Sequence, residues 1–259
     1  MPWLLTDIYG ALPAFMLVLA RVAGLMLAAP FFSGNVIPTR IKALLAGAIT
    51  LAVFPLLAAH VKEALTLGMA VAGLMGELAI GLLIGLGVSM LFTGVQMGVQ
   101  LASQQAGMAL GEVFNPMLDA SVPIVAQLYY YVSIMIFLAV NGHHELMRAL
   151  LDSFETIPPL GFRMTEGVAA LLADLLTVSF ALAIRVGGPT MLALLLGFMT
   201  LGFVSRTMPQ LNILTVGFPL KIAIALVMMA LTIMSLESAI LDTLTVAMDG
   251  VRAGLGLDG

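Results

Sequence analysis

Cysteine is absent from this 259-residue chain, which excludes disulfides and thiolate metal sites. Charge is almost as scarce. Charged residues make up 9% of the chain against 61% for the AVILMFWYC set, where a soluble domain carries ~25% charged residues. Such a chain cannot cover itself with a polar surface, so it is of the membrane class or is buried in a hydrophobic assembly. The formal net charge of −4 is small and spread out, and no basic patch points to nucleic acid. The N-terminal MPWLLTDIYG lacks a basic n-region, so the first apolar run is expected to stay in the mature protein. Also missing are a Gly-rich phosphate loop, G-x-S-x-G, metal-ligand spacing and a closely spaced carboxylate pair. The sequence therefore nominates no catalytic, cofactor-binding or metal-binding residue. Its acids and histidines are scattered singly, whereas an ion-coupled small-solute transporter would concentrate them along a pathway.

What the chain does have is long apolar runs. The first is roughly residues 12–32, near the ~20 residues of one bilayer crossing, with Arg21 inside it. The second, 41–59, carries Pro55 and ends in the polar hinge His60-Val61-Lys62-Glu63. The third starts near Leu67, contains Glu77 and continues to about Ala102. As one helix it would reach ~54 Å, against a hydrocarbon core ~30 Å thick. It is read as a kinked helix, a tight hairpin, or a helix that leaves the membrane. Its Gly81-x-x-x-Gly85 and Gly94-x-x-x-Gly98 spacings are of the kind that lets helix backbones approach closely. The fourth run is 123–140, with Tyr129-Tyr130-Tyr131 near its start as an expected interfacial belt. Residues 141–159 place Leu146, Ala149, Leu150 and Phe154 on one face and charges on others. That pattern predicts a short amphipathic helix on a membrane or protein surface. The fifth run, 168–204, is again too long for one crossing, and Gly187-Gly188-Pro189 is a kink or break signal within it. The sixth is 222–240, followed by a tail read as frayed.

Charge inside apolar runs is expensive. Arg21, Glu77, Asp174, Arg185 and Glu237 are therefore expected to be buried in the assembly against an opposite charge or polar backbone. Glu77 is a candidate partner for Arg21, in a structural pair rather than a transport role. Asp174 and Arg185 are eleven residues apart, on one helix face but too distant to pair with each other. In His143-His144-Glu145 the zinc-protease pattern fails because Arg148 holds the second histidine position, and an interfacial or structural role is expected.

One stretch fits neither lipid nor free solvent. Residues 94–123, GVQMGVQLASQQAGMALGEVFNPMLDASVP, hold Gln96, Gln100, Gln104 and Gln105, recurrent glycines and an Asn115-Pro116 turn signal. At membrane depth such backbone is tolerated only when buried in protein or lining a wet cavity. It reads as pore-lining or pore-plugging chain, or else as an extramembrane loop with a frayed helix end. Within it, Gly107 and Gly111 permit close packing, and Met108, Phe114 and Met117 could fill a constriction. Glu112, Asn115, Pro116 and Asp119 complete the candidate plug. Counted as six crossings, the Arg40/Lys42 loop and the Arg206/Lys221 loop fall on one side, which the positive-inside rule puts in the cytoplasm. The acidic Glu112/Asp119 loop falls there too, which marks it as no ordinary cytoplasmic loop.

Two segments carry a family resemblance. NGHHELMRALLDSFETIPP (141–159) and GFVSRTMPQLNILTVGFPLKI (202–222) resemble the signature stretches of the FliR family of flagellar type III secretion export-gate proteins. Residues 21–42, 76–85 and 104–119 support it, in order, and the resemblance covers about 12–245. It implies an all-α, membrane-associated set of helical hairpins in a helical pore assembly, with a FliP-like part over about 1–165 and a FliQ-like hairpin over about 166–250. It implies partnership with FliP-like and FliQ-like subunits, docking of an FlhB-like subunit on the cytoplasmic side, and passage of unfolded export substrates across the bacterial inner membrane at the flagellar basal body. It implies a plug at Gly107–Pro123 beneath a methionine gasket from FliP, with no cofactor and no enzymatic activity. The loop bearing Arg206, Pro209, Gln210, Asn212 and Lys221 is then the expected cytoplasmic partner loop. A virulence-injectisome gate is the nearest alternative, and an ion-coupled solute transporter the alternative from another class.

Overall fold

A computed structural model describes residues 2–33, 38–57, 67–108, 123–163, 166–208 and 213–257. Every regular element among these residues is a helix. Continuous apolar sequence must satisfy its backbone N–H and C=O groups internally, and a helix does so within one segment. In chain order the helices are α1 (Pro2–Ala28), α2 (Pro30–Ser33), α3 (Thr39–Leu57), α4 (Leu67–Ala106), α5 (Ile124–Ala139), α6 (Gly142–Thr156), α7 (Glu166–Thr207), α8 (Ile213–Ile233) and α9 (Leu236–Leu255). The all-α fold implied by the resemblance is what the described residues adopt, with several apolar helices.

The over-long runs resolve as single helices. α4 has 40 residues and α7 has 42, and both are long and apolar enough to cross a membrane. The broken pairs α5–α6 and α8–α9 bring the total to as many as four spans if each pair counts as one. The Gly187-Gly188-Pro189 signal does not break α7. Pro189 has no N–H to give to the Arg185 carbonyl, but packing holds the helix through that gap: Gly187 lies against the backbone of Gly98 in α4. The sixth run instead breaks at Met234-Ser235, where α8 and α9 meet at 58°. The tail is a regular helix rather than a frayed end. Ala239, Ile240, Leu244, Ala247, Met248, Val251 and Leu255 recur at helical spacing and are buried, and that stripe supplies the packing the helix needs.

The chain forms two compact units, interleaved along the sequence. Unit 1 comprises residues 1–89, 141–175 and 246–259, and unit 2 comprises 90–140 and 176–245. In unit 1 the core holds Leu17, Val22 and Leu25 of α1, Ile80 and Ile84 of α4, Leu150 and Phe154 of α6, Leu171 of α7 and Val251 of α9. The buried face of α6 is the Leu146, Ala149, Leu150, Phe154 face. In unit 2 the core holds Leu91, Phe92 and Val99 of α4, Tyr129 and Phe137 of α5, Leu182 and Leu194 of α7, and Ala225 of α8. Phe92 and Phe137 meet edge to face at 5.6 Å. The tyrosine triplet is not a uniform belt. Tyr129 is fully buried, because its hydroxyl bonds the Met229 carbonyl and lies 2.7 Å from Thr232 Oγ1; a partnered hydroxyl lets the ring enter the core. Tyr131 stays 48% exposed.

Both glycine spacings are contact surfaces. A Cβ at Gly81 would collide with the Arg21 carbonyl of α1, and one at Gly98 with the Ala183 carbonyl of α7. At Gly47 in α3 a Cβ would meet nothing. Gly81→Ala is thus expected to destabilise the chain by overpacking, about 1–3 kcal/mol. Gly47→Ala should be neutral or stabilising by roughly 0.5–1 kcal/mol. Thermal melting of the two detergent-solubilised variants checks this, and equal midpoints would refute the close-approach reading.

Candidate functional site

The most densely bonded polar group in the described chain is Arg21. α1 carries it into the core of unit 1 with no solvent exposure, and Glu77 of α4 meets it there, also unexposed. Nε donates to Glu77 Oε2 at 2.6 Å. Nη1 donates to the Ser153 carbonyl at 2.7 Å and to its hydroxyl at 3.0 Å. Nη2 donates to the Ile157 carbonyl at 3.0 Å. The guanidinium also lies 4.0 Å from the Phe154 ring centroid, a cation–π contact. Glu77 Oε1 accepts the Leu160 N–H at 3.1 Å, and Leu160 is held in the left-handed region at φ +72°. The two charges thereby pin α1 and α4 to the C-terminal end of α6 and to the chain that leaves it. With every guanidinium nitrogen and both carboxylate oxygens bonded to protein groups, they act as a structural clamp.

The other predicted charges lie elsewhere. Arg185 pairs with Asp242 of α9 at 2.9 Å, with side chains 49% and 65% exposed. Asp174 and Glu237 are exposed in the isolated chain. Two charged partners were invisible in the sequence: Arg252 reaches Glu145 at 3.5 Å and Asp152 at 3.9 Å. Glu145 also takes Arg148 at 3.0 Å. The i,i+3 spacing of Glu145 and Arg148 could have flagged that pair, whereas Arg252 lies too far along the chain for any local signal. The His143 and His144 rings meet at a tilt of 44°, 4.3 Å between centroids.

Of the candidate plug, Gly107 and Met108 fall within the described residues; Gly111, Glu112, Phe114, Asn115, Pro116, Met117 and Asp119 lie outside them. Gly107 ends α4 at φ +86°, a left-handed cap that suits glycine. Its N–H donates to Gln104 O at 2.9 Å and the Met108 N–H to Ser103 O at 3.1 Å. Met108 packs on a cluster of Ala106, Leu194 and Ala225. Gln105 adds a bond from Nε2 to the Met191 carbonyl at 3.2 Å. The stretch therefore leaves α4 from a point moored to α7 and α8. Of the predicted partner loop, Arg206 is exposed, and Pro209, Gln210 and Asn212 lie outside the described residues. Lys221 sits with its ammonium 4.6 Å from the Phe198 ring centroid.

Removing one member of the clamp leaves the other charge buried, at a cost of about 3–5 kcal/mol. Arg21→Met and Glu77→Gln should each lower the melting midpoint strongly, and the double variant should lose less than the sum. Asp242→Asn, at an exposed pair worth about 0–1 kcal/mol, should move it little. Additive losses at positions 21 and 77 in a double-mutant cycle would refute the clamp.

Comparison with known proteins covers nearly the whole chain. The family model described as "Bacterial export proteins, family 1" matches residues 12–246. The chain is 28% identical over 264 residues to the flagellar biosynthetic protein FliR of Bacillus subtilis (strain 168), covering 98% of this chain and 99% of that one. It is 29% identical over 215 residues to the flagellar biosynthetic protein FliR of Escherichia coli (strain K12), covering 82% and 81%. The protein of that name from Aquifex aeolicus (strain VF5) is 24% identical over 213 residues, covering 82% of each chain.

Proposed function

The chain belongs to the FliR family of bacterial export proteins, and from that premise we propose that it is a subunit of the flagellar type III secretion export gate. At the coarser level it is a membrane-class component of flagellar protein export. In the finer reading it builds, with FliP- and FliQ-type subunits, the pore through which unfolded flagellar proteins cross the inner membrane at the basal body. It does so as a passive conduit and not as an enzyme. The observation that carries this reading is coverage, since the likeness to the B. subtilis protein extends over 98% of this chain and 99% of that one. Residues 1–165 are assigned to a FliP-like part and 166–250 to a FliQ-like hairpin. Residues from Gly107 to Asp119 form the plug, and the loop from Arg206 to Lys221 meets an FlhB-like subunit on the cytoplasmic side. In the assembly Asp174, Arg185 and Glu237 are covered by protein, as the cost of charge against lipid favours.

Co-expression with FliP- and FliQ-type subunits is expected to yield one large detergent-stable complex containing all three chains, read by intact mass. Photocrosslinkers at Gln210 and Asn212 should capture the FlhB-like subunit. Arg185→Ala should reduce the yield of complex more than the stability of the isolated chain. Recovery of this chain alone, as a monomer or symmetric oligomer, would refute the gate reading.

The plug has its own test. Deleting Met108–Asn115 should leave assembly intact and make cells leak ions and small solutes when the gate is overproduced. Full assembly with a membrane as tight as wild type would reduce the stretch to a connector.

A further inference from the structure

α4 has one charged residue, Glu77, and the clamp uses it. Farther along the helix the polarity is of another kind. Gln96, Gln100 and Gln104 follow one another at four-residue spacing, so they share one face, drifting about 40° and rising ~6 Å at each step. The opposite faces are taken up inside unit 2: Gly94 and Gly98 lie against the backbone of α7, and Val95, Val99 and Ala102 are buried. The glutamine face points outward, with Gln96 and Gln100 half-buried and Gln104 exposed. None of these three side chains bonds another described residue. The neighbouring Gln105 differs, since its amide already donates to the Met191 carbonyl.

A carboxamide carries a donor and an acceptor side by side, as a peptide group does. An extended polypeptide presents the N–H and C=O of every second residue to the same edge, a repeat of ~6.6–6.8 Å. That repeat is close to the ~6 Å step of the glutamine ladder, and the flexible side chains take up the difference. A helix of a neighbouring subunit has its main-chain groups bonded internally, acyl chains have no such groups, and an ion is offered no charge. The occupant that uses a row of neutral amides is a chain without secondary structure, whose N–H and C=O groups need partners wherever water is excluded. We propose that Gln96, Gln100 and Gln104 form a track on which an unfolded polypeptide in transit hydrogen-bonds through its main chain, whatever its side chains. The track ends three residues before Gly107, where the candidate plug begins. The proposal rests on the export-gate reading and adds to it the residues that hold the passing chain. Bonds between neutral amides are weak enough to exchange as the chain advances.

The test uses cells carrying the complete gate and an export substrate stalled in it by a folded C-terminal fusion. A photoreactive residue in place of Gln100 or Gln104 should capture the substrate, equally for two substrates of unlike sequence, and one in place of Leu196 on α7 should not. Gln96→Met, Gln100→Met and Gln104→Met combined keep side-chain length and flexibility but remove the bonding groups. That variant should assemble as wild type, read by intact mass, and export about tenfold more slowly. Where it fails to assemble, the crosslinks from the otherwise unaltered chain decide. Crosslinks from positions 100 and 104 to another gate subunit or to lipid alone, capture that depends on the substrate's sequence, or wild-type export by the assembled methionine variant would each overturn the track and leave the gate reading standing. Failure of the gate reading looks different: export would continue at the wild-type rate with this chain deleted, and the track would fall with it.

Discussion

A guanidinium with no solvent exposure is tolerable only if its charge and its N–H groups are met inside the protein, and Arg21 satisfies both conditions at once. Glu77 supplies the opposite charge at 2.6 Å, Ser153 and Ile157 supply oxygens, and the ring of Phe154 covers one face. The contacts come from two distant parts of the chain, α4 and the C-terminal end of α6, and all lie in unit 1. Rotating α1 or α4 about its axis, or sliding α6 by a turn, would strand a buried charge. Unit 1 therefore has one low-energy arrangement of these elements, where apolar packing alone would allow several. Leu160 gains its unusual backbone conformation from the same clamp, since its N–H is held by the second oxygen of Glu77.

Around the clamp, packing depends on backbone proximity. Gly81 sits against the carbonyl of Arg21 itself, so the ion pair and the glycine contact are one device: the absence of a side chain at position 81 lets α1 approach closely enough for Arg21 to reach Glu77, four residues earlier on α4. In unit 2 the same logic runs without charge. Gly94 and Gly98 of α4 face Ser179 and Ala183 of α7, and close dispersion contact replaces the clamp. In an apolar surrounding, where burial of Leu against Leu gains little over lipid, small residues and internal hydrogen bonds are the available means of holding helices together.

The outward surface fits a chain made to be surrounded by lipid or by other subunits. Over a membrane-length stretch, 61% of α4 is buried within the chain, against 33% of α7. Ile184, Leu192, Leu196 and Phe203 of α7 are largely exposed, and an apolar surface of that extent marks contact with a membrane or a partner. An exposed Arg185–Asp242 pair lies beside Ile184 on α7.

Composition and local periodicity by themselves determined the membrane character and the amphipathic face of α6, and the resemblance of contiguous segments implied the all-α fold class. Those properties depend on residues a few positions apart, and the family resemblance likewise rests on contiguous segments. The glycine spacings announced that helices would come close but not which helices. Arg21 and Glu77 could be matched as opposite charges in apolar runs; the remaining acceptors could not, because Ser153 and Ile157 are 132 and 136 residues from Arg21 and offer main-chain carbonyls that every residue possesses. Tertiary structure alone decided that Tyr129 enters the core, since that required a carbonyl and a hydroxyl on α8 100 and 103 residues away. It also decided that α7 continues through Gly-Gly-Pro and that the C-terminal segment forms a helix. A local break signal costs a few kcal/mol, and packing against distant helices can outweigh a cost of that size.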